Sequence, residues 1–234
     1  MKESPILFSG PMVRAILEGR KTVTRRVVKP AFPASVIEVL PFAGDHSAYM
    51  PVRPATANQP WEEQIRVCPY GKPGARLWVR ETWSDVNLQG APGIAYRADD
   101  EVRDLMEDES FLDERGAFNY DDPRCKPYHF ACWSEDLLAG TEGRWRPSIH
   151  MPRWVSRILL EITAVRVERL QDITEQQALA EGVASCAQDL DPDGNGYSPG
   201  ELFSILWSSI NGTDSWNANP WVWVVEFKRV EQSA

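Results

Sequence analysis

The sequence predicts an α+β fold, a small mixed β-barrel with short flanking helices and long loop insertions. Short runs rich in β-branched and aromatic residues recur along the chain and are typical of strands. A few short helical segments lie between them, without the regular strand–helix alternation of a doubly wound sheet. The length of 234 residues and an apolar content of 43% suit one large domain over residues 1–234.

The first predicted elements are a helix and a strand. Residues 9–19 predict a helix, because Pro11 suits the first helical position and Gly19 suits a left-handed terminator. Residues 20–29 are rich in β-branched side chains and predict a strand directly after it. Residues 30–75 contain many prolines and little periodicity, so we expect a loop excursion there.

The middle of the chain predicts a hairpin followed by an acidic segment. A strand is predicted over residues 75–83, after a turn at residues 71–74, with residues 93–98 as its hairpin partner. Residues 99–122 then hold eleven acidic side chains against only Arg103 and Arg115. Two interpretations of this segment stand, a solvated insertion and a mobile acidic lid.

The C-terminal third carries the clearest signals. Residues 156–170 predict the longest strand, and its alternation shifts near residues 163–164, which indicates a bulge. Residues 174–177 form a capping box that opens a short helix ending near Glu181, and residues 198–201 open a helix through about residue 209. A strand over residues 221–230 closes the chain. We expect insertions at roughly 30–70, 99–145 and 185–198.

Composition narrows the classes of function. The chain has 34 acidic and 25 basic residues, a net charge of −9, which argues against a general coat protein for DNA or RNA. The sequence contains no apolar run long enough for a membrane helix, and its start lacks the pattern of a signal peptide. We therefore expect a cytoplasmic protein without a membrane partner. Four cysteines are too few for a disulfide scaffold.

The densest group of basic residues lies at positions 14–29. It contains six Lys or Arg residues against the single acid Glu18. In an extended strand, Thr24 and Arg26 point to one face and Arg25 to the other, while Lys21 stands at the junction with the helix. Two interpretations stand, a basic surface strand and a site where a hydroxyl, an ammonium and a guanidinium converge.

The segment Gly-Arg-Lys-Thr-Val-Thr-Arg-Arg at residues 19–26, following a short helix, resembles the signature of the ASCH domain, a small β-barrel related to the PUA fold. The later order is similar too: a glycine turn into Leu-Trp-Val-Arg at 77–80, a long strand into Leu-Gln-Asp-Ile-Thr-Glu at 170–175, a helix, and a terminal aromatic strand. The whole chain is similar to the longer, phage-type members of the family, in which insertions interrupt the barrel.

The resemblance implies an activity and a catalytic set. Some bacterial ASCH proteins are amidohydrolases that release acetate from N4-acetylcytidine and related acylated cytosines, using a Lys-x-x-Thr motif and a glutamate on the helix after the long strand. Here these positions are Lys21, Thr24 and Glu181. A threonine hydroxyl needs a base to act as a nucleophile, a neutral lysine can serve, and a carboxylic acid can protonate the leaving amine.

Further residues are expected to bind the substrate, a small modified nucleoside. Arg26 suits a carbonyl oxygen, Trp78 and Trp154 are candidates to stack on a pyrimidine, and His150 and Arg153 lie beside Trp154 in sequence. No cofactor is expected. The alternative is a non-catalytic RNA or modified-base reader, in which the basic strand contacts phosphate. A ribonuclease is the third interpretation, and no pairing of histidines selects it.

Two weaker patterns concern metals, and we expect no metal site from either. Cys125, His129 and Cys132 lie within eight residues, and Cys68 would complete a zinc set, but the usual ligand spacing is missing. The alternative is free thiols. Residues 191–196 resemble the start of a calcium loop, although a Gly/Asp turn fits the pattern better.

Overall fold

The computed structural model describes residues 3–43, 45–52 and 65–230 and confirms the α+β class. The strands are β1 (Glu3–Leu7), β2 (Val23–Val27), β3 (Glu38–Phe42), β4 (Asp45–Val52), β5 (Arg66–Val67), β6 (Arg76–Arg80), β7 (Trp83–Leu88), β8 (Ala91–Tyr96), β9 (Val102–Asp104), β10 (Leu159–Arg169) and β11 (Trp221–Val230). The helices are α1 (Gly10–Leu17), α2 (Ser134–Ala139), α3 (Glu175–Ala180), α4 (Ala187–Leu190) and α5 (Pro199–Asn211).

The strands form a five-stranded sheet of order β1-β6-β10-β11-β2 and two three-stranded sheets, β3-β4-β5 and β7-β8-β9. β10 and β11 pair antiparallel along nearly their whole length, and β11 pairs antiparallel with β2. The register of β10 shifts between Ile162 and Ala164, which confirms the predicted bulge. Over the described residues, these sheets do not form a closed barrel.

The chain divides into two compact units. The first consists of Met1–Ser4, Ala15–Leu77 and Ile158–Ala234, and the second of Pro5–Arg14 and Trp78–Arg157. In the first unit, apolar side chains of β2 and β11 pack against α3 and α5. The buried members of this core are Val23, Leu170, Ala178, Val183, Leu202, Phe203, Trp207, Val222 and Val224. We call the side of β2 and β11 that carries Val23 and Val224 the helix face.

The second unit has an aromatic core of its own. Its buried members are Trp83, Ile94, Tyr96, Leu105, Phe111, Phe118, Cys125, Phe130, Met151 and Val155. The ring contacts within it are mostly edge-to-face, as between Trp83 and Tyr128 at 5.3 Å. Burial in this core explains Trp83 and three of the eight phenylalanines of the chain as packing residues.

The prediction of a loop over residues 30–75 was wrong for residues 38–42, 45–52 and 66–67, which form strands. β3 and β4 pair antiparallel there, and β5 adds a short third strand. Residues 53–64 of the predicted 30–70 insertion lie outside the described residues. Pro41 of β3 lies opposite Tyr49, and Pro51 of β4 lies opposite Val39. Proline weakens the strand signal because it cannot donate to the ladder.

The predicted hairpin partner was also wrong. Residues 93–98 do belong to a hairpin, but β8 pairs with β7 and not with residues 75–80. Gln89 and Gly90, both with positive φ, form the tight connection between Leu88 and Ala91. Glutamine is an uncommon residue at this position of a turn, so the sequence signal for this turn is weak.

The acidic segment 99–122 is anchored to the core of the second unit. It contributes β9 and two turns of 3-10 helix, and Leu105, Phe111 and Phe118 are buried. Asp104 and Asp108 cap these turns by accepting from the N–H groups two residues on, at 2.8 and 3.1 Å. The segment is therefore packed on one side. None of the helices in the described part has the length and apolar character that crossing a membrane requires.

Candidate functional site

The backbone around Lys21 is held between the ends of two helices. The Lys21 N–H donates to the Ala15 carbonyl of α1 at 2.9 Å. Gly19, with φ +73°, adopts the left-handed conformation that lets the chain leave the helix there. The Thr22 N–H donates to the Ala180 carbonyl of α3, also at 2.9 Å. These bonds bring Lys21 to the C-terminal end of α3.

Helix α3 places its own polar residues at the same point. The predicted capping box is present, because Thr174 Oγ1 accepts from the Gln177 N–H and Gln177 Oε1 accepts from the Thr174 N–H. Gln177 and Glu181, four residues apart, lie on the same side of the helix. Gly182 follows with φ +85°, and a Cβ there would lie 3.1 Å from the Lys21 Cβ. A residue without a side chain allows this close approach.

Lys21 and Glu181 form a buried ion pair. The Lys21 Nζ donates to Glu181 Oε2 at 2.8 Å, to the Glu181 carbonyl at 2.7 Å and to the Val23 carbonyl at 2.8 Å. Both residues are only 4% exposed. An ammonium has three N–H donors, so these three acceptors match the charged form of the lysine. The bond to the Glu181 carbonyl also caps the C-terminal end of α3.

The pKa of Lys21 is lowered from its ordinary value, and burial is the largest cause. Glu181 opposes this shift because its carboxylate attracts the charged form, while Arg26 and Arg25 repel it. The result is a lysine that gives up its proton more readily than an exposed one and has a carboxylate at hydrogen-bond distance.

Arg25 completes the buried group. Its guanidinium donates to Glu181 Oε1 at 3.1 Å, to Gln177 Oε1 at 3.0 Å and to Glu168 Oε2 at 3.4 Å. The residue is only 2% exposed, and its guanidinium carbon lies 5.9 Å from the centre of the Phe203 ring. Gln177 Oε1 therefore accepts hydrogen bonds both from the Thr174 N–H, in the capping box, and from Arg25. The bond to Arg25 orients its guanidinium.

The ion pairs continue along the helix face as an alternating chain, which we call the charge ladder. Its members in order are Lys21, Glu181, Arg25, Glu168, Arg166 and Glu226. It contains three cations and three anions, so it is neutral as a whole. Its first three side chains are at most 5% exposed, and exposure then increases to 42% for Glu226.

Thr24 and Arg26 lie on the opposite face of β2 from Arg25, because side chains alternate along a strand. Thr24 is 1% exposed, and none of the described residues hydrogen-bonds to its hydroxyl. Arg26 is half-buried and hydrogen-bonds to Tyr70. The geometry therefore joins Lys21 to Glu181, while Thr24 is hydrogen-bonded to neither of them.

The other predicted substrate-binding residues belong to the second unit. Trp78 is buried, with the guanidinium carbons of Arg80 and Arg153 at 4.6 and 6.0 Å from a ring centroid. Trp154 is half-buried and packs against Phe111 at 5.4 Å. His150 is exposed at the end of a 3-10 turn.

Two sequence patterns resembled metal sites: the cysteine–histidine set and residues 191–196. Members of both have a packing or turn role in the structure. Within residues 3–43, 45–52 and 65–230, no group of three or more His, Cys, Asp or Glu side chains is placed to hold a metal ion. Cys125 is buried in the aromatic core of the second unit. The Asp191 carboxylate accepts from the N–H groups of Asn195 and Gly196, both at 2.9 Å, so residues 191–196 form a turn.

Sequence reasoning missed Arg25, Gln177 and Glu168 as members of the buried group. Two sequence signals pointed to Arg25 and Gln177. Alternation along β2 placed Arg25 on the same face as the apolar Val23, where a charged side chain needs a partner. The capping box contained Gln177, four residues before Glu181.

We compared the chain with family models, with curated proteins and with solved structures. No match was found in any of the three comparisons.

Proposed function

We propose that the protein is an ASCH-type, PUA-like domain with insertions that hydrolyses the amide of N4-acylated cytosine or cytidine. Its site would work on a small nucleoside in the cytoplasm, without a cofactor. The observation that carries the proposal is the buried group of Lys21, Glu181 and Arg25 beside the strand that carries Thr24. The resemblance of residues 19–26 to the ASCH signature supports it.

The free-energy cost of burying charged side chains favours a functional role for Lys21, Glu181 and Arg25. Taking charged groups out of water costs several kcal/mol for each ion, and well-packed apolar residues are often at least as stabilising. Clusters of buried titratable groups with shifted pKa values are concentrated at functional sites. A lysine with a lowered pKa next to a carboxylate has the property that a general base requires.

The proposed reaction moves one proton along this group. Lys21 passes a proton to Glu181 and takes the proton of the Thr24 hydroxyl, whose oxygen attacks the acyl carbon. Arg26, on the same face of β2 as Thr24, stabilises the negative oxygen that forms. Breakage of the C–N bond returns a proton from Glu181 to the leaving N4 amine. Water then hydrolyses the acyl-threonine and releases the carboxylic acid.

This reaction requires that Lys21 and Thr24 approach each other when the substrate binds. Catalytic hydrogen bonds often tighten only in the complex with substrate. The Lys21 side chain lies at the junction of α1 and β2 and bonds to the Val23 carbonyl, one residue from Thr24. A change of side-chain rotamer at Lys21 and a bound substrate would thus close the arrangement.

An acetate-release assay on N4-acetylcytidine tests the proposal. The wild-type protein should release acetate and cytidine, and Lys21→Ala and Thr24→Ala should each lose at least about a hundred-fold in rate. Thr22→Ala, an exposed threonine on the same segment, is the matched control and should retain the wild-type rate. Folded wild-type protein that releases no acetate at high concentration would exclude this substrate class.

A non-catalytic reader of RNA or of a modified base is the second candidate. The observation that favours it is that all three Lys21 donors are engaged, which leaves no lone pair to act as a base. Lys21 would then be a structural cap of α3, and Arg26 would contact the nucleic acid. The ribonuclease interpretation stays a prediction without a supporting observation.

A further inference from the structure

A cavity lies in the first unit, at the end of the sheet where β2 ends and β11 begins. It measures about 230 Å³. Its walls are mainly apolar and aromatic, with Val27, Phe32, Pro220 and Trp221 among them, and Arg169 is the only charged residue in its lining. Phe32 and Trp221 meet edge to face at 6.3 Å. Such a cavity has the size for a single ring with a small substituent.

Arg169 is held in a fixed position in this cavity. Its Nη1 donates to the Asn219 carbonyl at 3.0 Å, and its guanidinium carbon lies 4.3 Å from the centre of the Trp221 ring. Asn219 has φ +41°, a left-handed conformation that asparagine tolerates better than most residues. The guanidinium is therefore oriented before any ligand arrives, which reduces the entropy lost on binding.

The charge of Arg169 is uncompensated. Of its five N–H donors, one is used by Asn219, and over the described part of the chain the guanidinium forms no ion pair. The Trp221 Nε1 likewise has no acceptor among the described residues. Other arginines of the described part do pair with a carboxylate, among them Arg25, Arg103, Arg124, Arg146 and Arg157.

We propose that this cavity is a binding site for a small aromatic carboxylate. Arg169 offers hydrogen-bond donors, the walls offer aromatic surface, and the lining side chains offer no acceptor, so the complementary ligand is planar and carries acceptors only. A carboxylate matches the fork of the guanidinium in two parallel hydrogen bonds. Its ring would lie against Phe32 and Val27. The proposal is independent of the proposed hydrolase activity.

Fluorine NMR of 4-fluorobenzoate with the full-length protein tests the site. The ligand signal should broaden saturably, and Arg169→Gln should weaken binding at least about ten-fold, because the charge-assisted hydrogen bonds are lost. Arg229→Gln, which removes an exposed arginine of β11, is the matched control and should bind as the wild type does. Circular dichroism establishes that each variant is folded.

Two further binding measurements test the space in the cavity and the charge of the ligand separately. Ala218→Phe keeps Arg169 but fills part of the cavity from its exposed rim, so it should also weaken binding. The neutral 4-fluorobenzamide should bind at least about ten-fold more weakly than the carboxylate. Equal binding of the benzoate by Arg169→Gln, or equal binding of the benzamide, would overturn the proposal. Displacement of the benzoate by equimolar phosphate would show a site for bare oxyanions, which overturns its aromatic part.

Discussion

At the residue scale, the central feature is a lysine whose charge is buried but fully hydrogen-bonded. Lys21 contacts one carboxylate oxygen and two backbone carbonyls, and the carboxylate of Glu181 is shared with Arg25. Breaking such a group is expensive, because removal of one partner leaves another charge buried and uncompensated. The effect of a substitution therefore depends on which partners remain.

We expect Lys21→Met to lower the free energy of unfolding by about 3 kcal/mol, since Glu181 would keep only Arg25 as a cationic partner. Urea denaturation measures this change. In a Glu181→Gln background the same substitution should have a smaller effect, because no buried carboxylate remains. Equal effects in both backgrounds would show that the two side chains are not coupled. Arg20→Met, which breaks an exposed ion pair with Glu18, should change stability by less than about 1 kcal/mol.

Tyr96 makes stability depend on alkaline pH. Burial raises the pKa of Tyr96 to about 12, and its hydroxyl donates to the Val155 carbonyl at 2.7 Å. The unfolded chain releases this proton near pH 10, so between about pH 10 and 12 the folded state holds more protons than the unfolded state. The free energy of unfolding should therefore fall across this window, by about 3 kcal/mol from this group.

The test compares urea denaturation of wild type and Tyr96→Phe at several pH values. Because the phenylalanine variant has no proton to lose at this position, its stability should decline less steeply above pH 10. Tyr120→Phe, which alters an exposed tyrosine, should follow the wild-type curve. Parallel curves for wild type and Tyr96→Phe would refute the assignment.

At the scale of elements, the junction between α1 and α3 brings the site together. Gly19 and Gly182 end these helices with φ +73° and +85°. At Gly19 an added Cβ would meet no atom within 4 Å, whereas at Gly182 it would lie 3.0 Å from the Ala15 Cβ and 3.1 Å from the Lys21 Cβ. The two positions share a backbone conformation and differ in packing.

We expect Gly19→Ala to cost about 1 kcal/mol of stability, the penalty of a left-handed alanine. Gly182→Ala should cost at least about 1 kcal/mol more, because the junction must also open to relieve the contacts with Ala15 and Lys21. Thermal or urea denaturation of both variants measures the difference. If the two variants are equally destabilised, the close approach of α3 to Lys21 does not limit the packing of the junction.

At the scale of the whole molecule, charge distinguishes the two candidate functions. The net charge is −9, and the charge ladder is neutral, so the chain as a whole repels a polyanion. This negative charge neither attracts nor repels a small uncharged nucleoside. RNA is repelled by it and must be held by local contacts such as those of Arg26.

We therefore expect hydrolysis of N4-acetylcytidine to change less than about two-fold between 50 and 500 mM salt. Binding of single-stranded RNA, if it is the function, should weaken steeply over that range, because phosphate contacts release counterions. Fluorescence anisotropy of a labelled RNA, run alongside the acetate assay, measures both. Tight RNA binding that is independent of salt would contradict a phosphate-based interface, and salt-sensitive hydrolysis would argue for a charged substrate.

The features that sequence alone determined depend on residues close together in the chain. The capping boxes of α3 and α5, the strand β11 and the bulge of β10 were predicted near their observed positions. A cap involves residues three apart and a bulge is a local break in alternation, so neighbouring residues carry the whole signal.

Only the tertiary structure decided which distant residues meet. Arg25 and Glu181 are 156 positions apart, and their contact depends on the β2–β11 pairing and on the docking of α3 against it. The β10–β11 pairing sets Arg169 opposite Trp221, where both line a cavity. Sequence patterns assign a side chain to a face, but long-range pairing and packing determine what that face contacts.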